Sequence, residues 1–503
     1  MAIPEPRRAP PSPASRLSRR RFLASAIGAL AAVAAGPRCV RAAELTDLTL
    51  REAGDALRAG RASAEDLARA CLARIDRVQA AVNAFITVAG DAALAEARAR
   101  DAEIRSGRWR GPLHGVPIAL KDNIDTAGLR TSAASAVLAD RVPAEDAEVV
   151  RRLKEAGAVV LGKTNMDEFA AGGTSVVSYW NPVRNPWAHD RSPGGSSGGS
   201  AAATAARLCF GALGTDTTGS LRIPAAFCNA VGLKPTYGRV SARGVIPLSW
   251  TLDHVGPVAR TVEDAALLLQ AIAGHDPRDP ASVDVPVPDY LAAMRAERVS
   301  ALRIGVPRAL FFDRLDPEIA AATTAALGVL RGLVASVRDV QLPSVTTTPL
   351  VTDDEMYAFH AEWLSSVGHL YQPSTRRQLE AASKITARDY IVARREIERL
   401  RRSVGAVFGG VDVLVTPTVK IQPRTIEEAL RRAAGGEALP PELTNTSAFN
   451  VFGLPAVSVP GGFTGGRLPI GLQIVGPHFG EARVLAVARA YEQATPWHRQ
   501  SPP

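Results

Sequence analysis

Three short segments between Gly111 and Ala226 hold residue types from which an acyl-transfer site can be built. Lys121 closes the apolar run in GVPIALKDNI, Ser196 stands in the Gly/Ser loop SPGGSSGGSAAA, and Ser220 follows Thr217-Thr218-Gly219 in GTDTTGSLRIPAA. Cleaving an amide takes a nucleophile, a group that removes its proton and donors for the oxyanion, and a serine stays inert until a base stands beside it. Ser220 suits the first role. Its Gly/Thr turn can aim successive backbone N–H groups at one spot, so Thr217, Thr218, Gly219 and Ser220 itself are the expected oxyanion and substrate-binding residues. Lys121 suits the second, because burial disfavours an ammonium and lowers a lysine's pKa until the amine can accept a proton. On residue type alone other readings stay open: Ser220 as a serine in a surface turn, Lys121 as a solvated partner of Asp122, and the Gly/Ser run as a linker. Of the eight histidines, none forms a nucleophile-elbow pattern with Ser220, and His114, near Lys121 in sequence, is the one rival base.

The joint occurrence of these segments resembles the amidase signature family. The likeness continues in KTNMDEFAAG, NPWAHDRSPGG, GLKPTYGRVS, LDHVGPVARTVEDAA and NVFGLPAVSVP, and so covers nearly all of the chain after about residue 45. It implies a Ser-Ser-Lys triad in place of Ser-His-Asp: Ser220 attacks a carboxamide, Ser196 relays the proton, and Lys121 is the base. It further implies a cis bond between Gly195 and Ser196, and a nucleophile turn braced by Asp216 and Arg222. Ser197 and Ser200 read as structural. The expected partner is a small-molecule amide, with no cofactor, no metal and no nucleic acid. One departure is visible, since Thr218 stands where many members of the family carry glycine, which bears on the room beside the scissile carbonyl. Two alternatives accompany this reading: a glutamyl-tRNA amidotransferase A-type subunit, which the sequence is similar to around Met166-Asp167-Glu168-Phe169, and a non-catalytic binding protein on the same fold. An export signal, and the lack of a recognisable glutamyl-gripping motif in the 350–450 region, point away from the first. Pocket lining is expected near Ala170–Gly173 and in that same region.

The elements that must position these residues follow from hydrophobic periodicity. Apolar positions at helical spacing from Leu45 to about Ala89 predict two or three helices, one of them capped by Ser63 with Glu65 and Asp66 behind it. Val116–Leu120 and Ala158–Gly162, short and bounded by Gly or Pro, read as buried strands. With the helical stretch 145–157 between them, they form a βαβ unit. Ala-rich Ser200–Leu208 predicts a tightly buried helix, and another follows Thr261. Leu302–Pro307, Val411–Pro417, Ala456–Val459 and Ile470–Val475 read as later strands, with a charged helix over Asp389–Val407; residues 276–350 are otherwise hard to read. The alternation predicts an α/β fold, and the resemblance implies a single large domain with a mixed, mostly parallel central sheet flanked by helices, spanning 43–503.

Residues 1–42 read as an address. Ser18-Arg19-Arg20-Arg21-Phe22-Leu23 and the apolar run Ala24–Ala35 fit a twin-arginine signal peptide cut after Ala42, which predicts a periplasmic or secreted protein. The apolar run is too short to span a bilayer, so no stable membrane insertion is expected once the signal is removed. Eight arginines against one glutamate lie in this segment, so it carries +7 of the chain's net +9, and the basic balance says little about nucleic acid. Cys71, Cys209 and Cys228 have no metal-ligand spacing and read as buried thiols, with a Cys209–Cys228 disulfide left open. No heptad or apolar stripe indicates an oligomeric state.

Overall fold

The apolar runs bounded by Gly or Pro become strands of one eleven-stranded sheet in the computed structural model, which describes residues 45–346, 348–436 and 445–503. In chain order they are β1 Phe85–Val88, β2 Pro117–Lys121, β3 Val159–Thr164, β4 Gly211–Asp216, β5 Val231–Lys234, β6 His254–Ala259, β7 Arg303–Val306, β8 Ser336–Asp339, β9 Val413–Pro417, β10 Ala456–Phe463 and β11 Pro469–Val475. Across the sheet they run β1-β3-β2-β4-β6-β5-β10-β11-β9-β7-β8. Every residue of β2, β3, β4 and β6 is buried, which is why these segments lack an alternating polar face.

The sheet is mixed, but parallel pairing does not dominate it. Parallel pairs join β2 to β3 and β4, and β7 to β8 and β9. The remaining neighbours are antiparallel, including the whole centre from β4 through β6, β5, β10 and β11 to β9. The expectation of a mostly parallel sheet is corrected here. β10 and β11 are joined by a tight turn, and such a connection can only return the chain antiparallel, whereas parallel neighbours need a crossover.

Helices cover the sheet, and their starts obey local signals. Ser63 and Asp66 form a reciprocal capping box at helix Ala64–Val82, and Thr261 caps Val262–Ile272 through Asp264 N–H. The helix expected from residue 145 begins only at Glu148, because Ala147 and Glu148 give their N–H groups to the carbonyls of Asp125 and Arg243 instead of entering a helical turn. The Ala-rich helix runs Gly198–Ala205 and packs Ala201 and Ala205 against Leu221, Ala225 and Val258, a layer that only small side chains allow. The difficult stretch contains helix Pro317–Arg331, whose start signal, Asp316 capping a Pro317 first turn, is present in the sequence. The region expected to cover the site forms helices Thr348–Val367, Pro373–Ala382 and Ala387–Ser403. Cys71, Cys209 and Cys228 are buried and unbridged. Residues 1–42, with the twin-arginine pattern, lie outside the described residues.

Candidate active site

Lys121 ends β2 with its side chain wholly out of solvent. Its Nζ lies 2.7 Å from Ser196 Oγ and 2.7 Å from Thr215 Oγ1. Burial pushes the amine down to about 7, and the carboxylates of Asp253, Asp167 and Asp216 oppose that only in part. Asp122 is no surface partner for it: its Oδ2 accepts from Ser132 N (3.0 Å), Ser132 Oγ (2.6 Å) and Ala134 N (3.3 Å), facing away from the lysine.

The Gly/Ser loop is a rigid insert. The Gly195–Ser196 bond is cis, and Gly195 is packed so closely that a Cβ there would lie 2.4 Å from Asp167 Oδ2 and 2.6 Å from Thr174 N. Ser175 staples the loop from the side, donating from Oγ to the Ser196 carbonyl (3.1 Å) and accepting from Gly198 N (2.9 Å). Ser197 Oγ donates to Thr215 O (3.0 Å) and Ser200 Oγ to Leu213 O (3.0 Å), tying the following helix to β4. The Ser197 N–H in turn donates to the Ser220 carbonyl at 3.2 Å, so the two serine-bearing segments lie edge to edge.

Ser220 follows β4 on a turn whose donors are left unpaired. Among the described residues, no protein acceptor takes the N–H of Thr217, Thr218, Gly219 or Ser220, and the Ser220 hydroxyl has no hydrogen-bond partner. Buried N–H groups are paired in the great majority of cases, and four consecutive N–H groups without a partner, on three buried residues and half-buried Thr218, depart from that rule. Gly219 has φ +148°, and a Cβ there would lie 2.2 Å from Thr446 Oγ1, the hydroxyl that donates to the Thr218 carbonyl at 2.6 Å. Only glycine fits. Beneath the turn Arg222 grips Asp216 through Nε and Nη2 at 2.9 Å each, and donates to Thr446 O (2.9 Å), Gln473 Oε1 (2.7 Å) and Asn450 Oδ1 (2.6 Å). The guanidinium holds the Asp216 carboxyl well below the usual range despite its burial. Removing one member of such a network leaves buried charge uncompensated. Arg222→Ala is therefore expected to cost about 3–5 kcal/mol of stability, read from denaturant unfolding, a far larger effect than a surface arginine would show.

Several participants were not foreseen from sequence. Thr215, the second partner of Lys121, sits inside β4 like any strand residue; Asn123 Nδ2 also donates to its hydroxyl (3.3 Å). Asp253 accepts from Thr217 Oγ1 at 2.5 Å and from Leu248 and Ser249 N–H at 2.9 and 3.1 Å, fixing the Ser220 turn to the loop before β6. The LDHVGP motif contained Asp253, yet nothing local assigned it a role. His114 is engaged elsewhere, its Nε2 3.0 Å from Glu103 Oε2 and its Nδ1 accepting from Arg110 N. His254 lies below the turn, between the Asp216 and Leu252 carbonyls and Lys234 Nζ. Among the described residues no histidine hydrogen-bonds to Ser196 or Ser220, and no cluster of His, Cys, Asp or Glu could hold a metal ion.

A family model described as Amidase matches residues 66–485. The chain belongs to the amidase family. As an amidase it is a hydrolase acting on carbon–nitrogen bonds. It is 42% identical over 488 residues to the glutamyl-tRNA(Gln) amidotransferase A subunit of Moorella thermoacetica, covering 91% of this chain and 99% of that one. To the corresponding protein of Methylococcus capsulatus it is 44% identical over 482 residues, 90% and 98% of the two chains. Among solved structures it is similar to the native peptide amidase from Stenotrophomonas maltophilia, at a TM-score of 0.78 and 35% identity over 89% of this chain and 97% of that one. It is likewise similar to 6-aminohexanoate cyclic dimer hydrolase in complex with substrate, at a TM-score of 0.82 and 31% identity over 91% and 99%. These relatives correct the expectation of a periplasmic or secreted protein. The two amidotransferase relatives are named for work on glutamyl-tRNA(Gln), a substrate found where translation takes place, in the cytoplasm.

Proposed function

We propose that residues 43–503 form the catalytic domain of an amidase that works through a Ser220 acyl-enzyme, with Ser196 as relay and Lys121 as base. The observation that carries the proposal is the pairing of a buried amine, 2.7 Å from Ser196 Oγ, with four unpaired N–H groups at the neighbouring Ser220 turn. The neutral Lys121 amine takes the Ser196 proton while Ser196 takes that of Ser220, and Ser220 Oγ bonds to the carboxamide carbon. The carbonyl oxygen becomes an oxyanion held by the turn; each such donor is worth about 3–4 kcal/mol. Collapse expels ammonia or an amine, which receives the proton back along the same two groups. Water then attacks the acyl-serine in the same way and releases the acid. The Ser220 hydroxyl is held by no hydrogen bond to the described residues, and catalytic hydrogen bonds commonly tighten only with substrate in place.

A second reading, a glutamyl-tRNA amidotransferase A-type subunit, is favoured by the curated relatives, whose 42–44% identity over nearly their full length exceeds the 31–35% of the solved hydrolases. It shares the acyl-enzyme and differs in the fate of the ammonia, which partner chains would consume.

Treatment with a fluorophosphonate followed by peptide mass analysis tests the shared chemistry: an adduct on Ser220 is expected, and its absence would leave a non-catalytic binding protein. Ammonia release by the isolated chain from aliphatic, aromatic and peptide amides and carbamates then separates the readings. Turnover without partners supports the hydrolase, and release from glutamine alone supports the amidotransferase role.

A further inference from the structure

Asp167 follows β3 in the segment KTNMDEF and is wholly buried, yet the acyl-transfer steps above give it no task. Its carboxylate is the polar centre of a loop that closes on itself. Oδ2 accepts from Thr174 N (2.9 Å), Oδ1 accepts from Val177 N and Thr174 Oγ1 (3.4 Å each), and Glu168 N donates to the Val177 carbonyl (2.7 Å). Ser175, between the two backbone donors, has φ +54°, a left-handed conformation that is uncommon for a residue with a Cβ and persists where its surroundings hold it. Thr174 and Val177, tied to one carboxylate, supply that hold. The turn so fixed carries the Ser175 hydroxyl to the Gly/Ser loop, where it donates to the Ser196 carbonyl (3.1 Å) and accepts from Gly198 N (2.9 Å).

The same carboxylate packs on that loop directly. A Cβ on Gly195 would lie 2.4 Å from Asp167 Oδ2 and 2.7 Å from Ser175 N, and one on Gly172 would lie 2.6 Å from Asp167 Cγ. Two glycines thus leave the space that the carboxylate fills, and the residue after Gly195 is Ser196, whose Oγ meets Lys121 Nζ. Three carboxylates act on that amine, those of Asp253, Asp167 and Asp216, and each favours its ammonium form. Asp216 is paired with Arg222, whereas Asp167 has no cationic hydrogen-bond partner among the described residues. Burial pushes the Asp167 carboxyl up, and the N–H groups of its loop and the Lys121 charge oppose that.

We propose that Asp167 is a positioning residue of the triad, its carboxylate fixing the turn that seats Ser175 on Ser196 and holding a negative charge against Gly195, next to the Lys121–Ser196 pair. The inference rests on the amidase reading above, and the test separates the two. Second-order labelling of Ser220 by a fluorophosphonate is followed from about pH 5 to about pH 9 in wild type, Asp167→Asn and Ser175→Ala. The wild-type rate should rise to a plateau as the Lys121 amine loses its proton at about 7. Asparagine keeps the volume of Asp167 and one acceptor but no charge. Asp167→Asn should therefore lose about tenfold at the plateau through a less firmly placed Ser196. Its rising limb should also move about one pH unit lower, because an ammonium with one carboxylate fewer gives up its proton more readily. Ser175→Ala removes the contact to Ser196 and leaves every charge in place, so its plateau should fall about tenfold with the limb unmoved. A wild-type profile in Asp167→Asn would overturn the proposal, and so would a lower plateau with the limb in place, the result a purely structural loop residue would give. If Asp167→Asn does not fold, Ser175→Ala decides: the tenfold loss supports the proposal, and a wild-type rate overturns it. Wild-type protein that takes no fluorophosphonate on Ser220 would instead remove the amidase reading itself.

Discussion

Lys121→Ala is expected to lower kcat by about three to four orders of magnitude, because it deletes the one base that, among the described residues, hydrogen-bonds to Ser196 Oγ. The sign of the accompanying pH dependence follows from burial. With the amine pushed down to about 7, the neutral fraction grows as pH rises, so wild-type kcat/KM should climb tenfold per pH unit below that value and level off above it. That limb should be missing from whatever rate survives in Lys121→Ala. Lys121→Arg, whose guanidinium stays protonated throughout, should be inactive at every pH. A pH–rate profile with the same rising limb in Lys121→Ala, or a rate within tenfold of wild type, would assign the base to another group.

Ser220→Ala should cost more still, about six orders of magnitude in kcat, since without the nucleophile neither base nor relay has anything to activate. Its stability should hardly change. The Ser220 hydroxyl makes no hydrogen bond within the described residues, so its removal strands no buried partner, and the unfolding free energy should stay within about 0.5 kcal/mol of wild type. The contrast with Arg222→Ala is informative: that variant should lose stability first and activity as a consequence, because Arg222 holds the turn without touching the reacting atoms. Unfolding curves and single-turnover acylation rates on both variants would distinguish the two classes. A Ser220→Ala protein that loses several kcal/mol would mean that the serine is a structural member of the turn.

Much of the scaffold was open to reading because the signals are local. The run Val116–Leu120, short and bounded by Gly and Pro, reads as a strand buried on both faces, Ser63 and Asp66 announce a helix start, and an Ala-rich segment packs where side chains are small. The pairing direction of the sheet was misjudged for a physical reason: periodicity reports the face that a strand buries, and a strand buried on both faces looks the same between parallel and antiparallel neighbours. Localisation was misjudged in a similar way, since an arginine pair before an apolar run states an address only if the export machinery reads it.

The sequence by itself determined the candidate chemistry of this chain: which serine stands on a glycine turn, which lysine ends an apolar strand, and that the two belong to one amidase pattern. The tertiary structure alone decided what surrounds them. Thr215 beside the amine, Asp253 under Thr217, Asn450 and Gln473 on Arg222, and Asp167 against Gly195 are each brought to their partners by strand order and helix packing. Propensity and periodicity act over a few residues, whereas a lysine becomes a neutral base only when distant parts of the chain have closed over it and excluded water, and that is a property of the assembled fold.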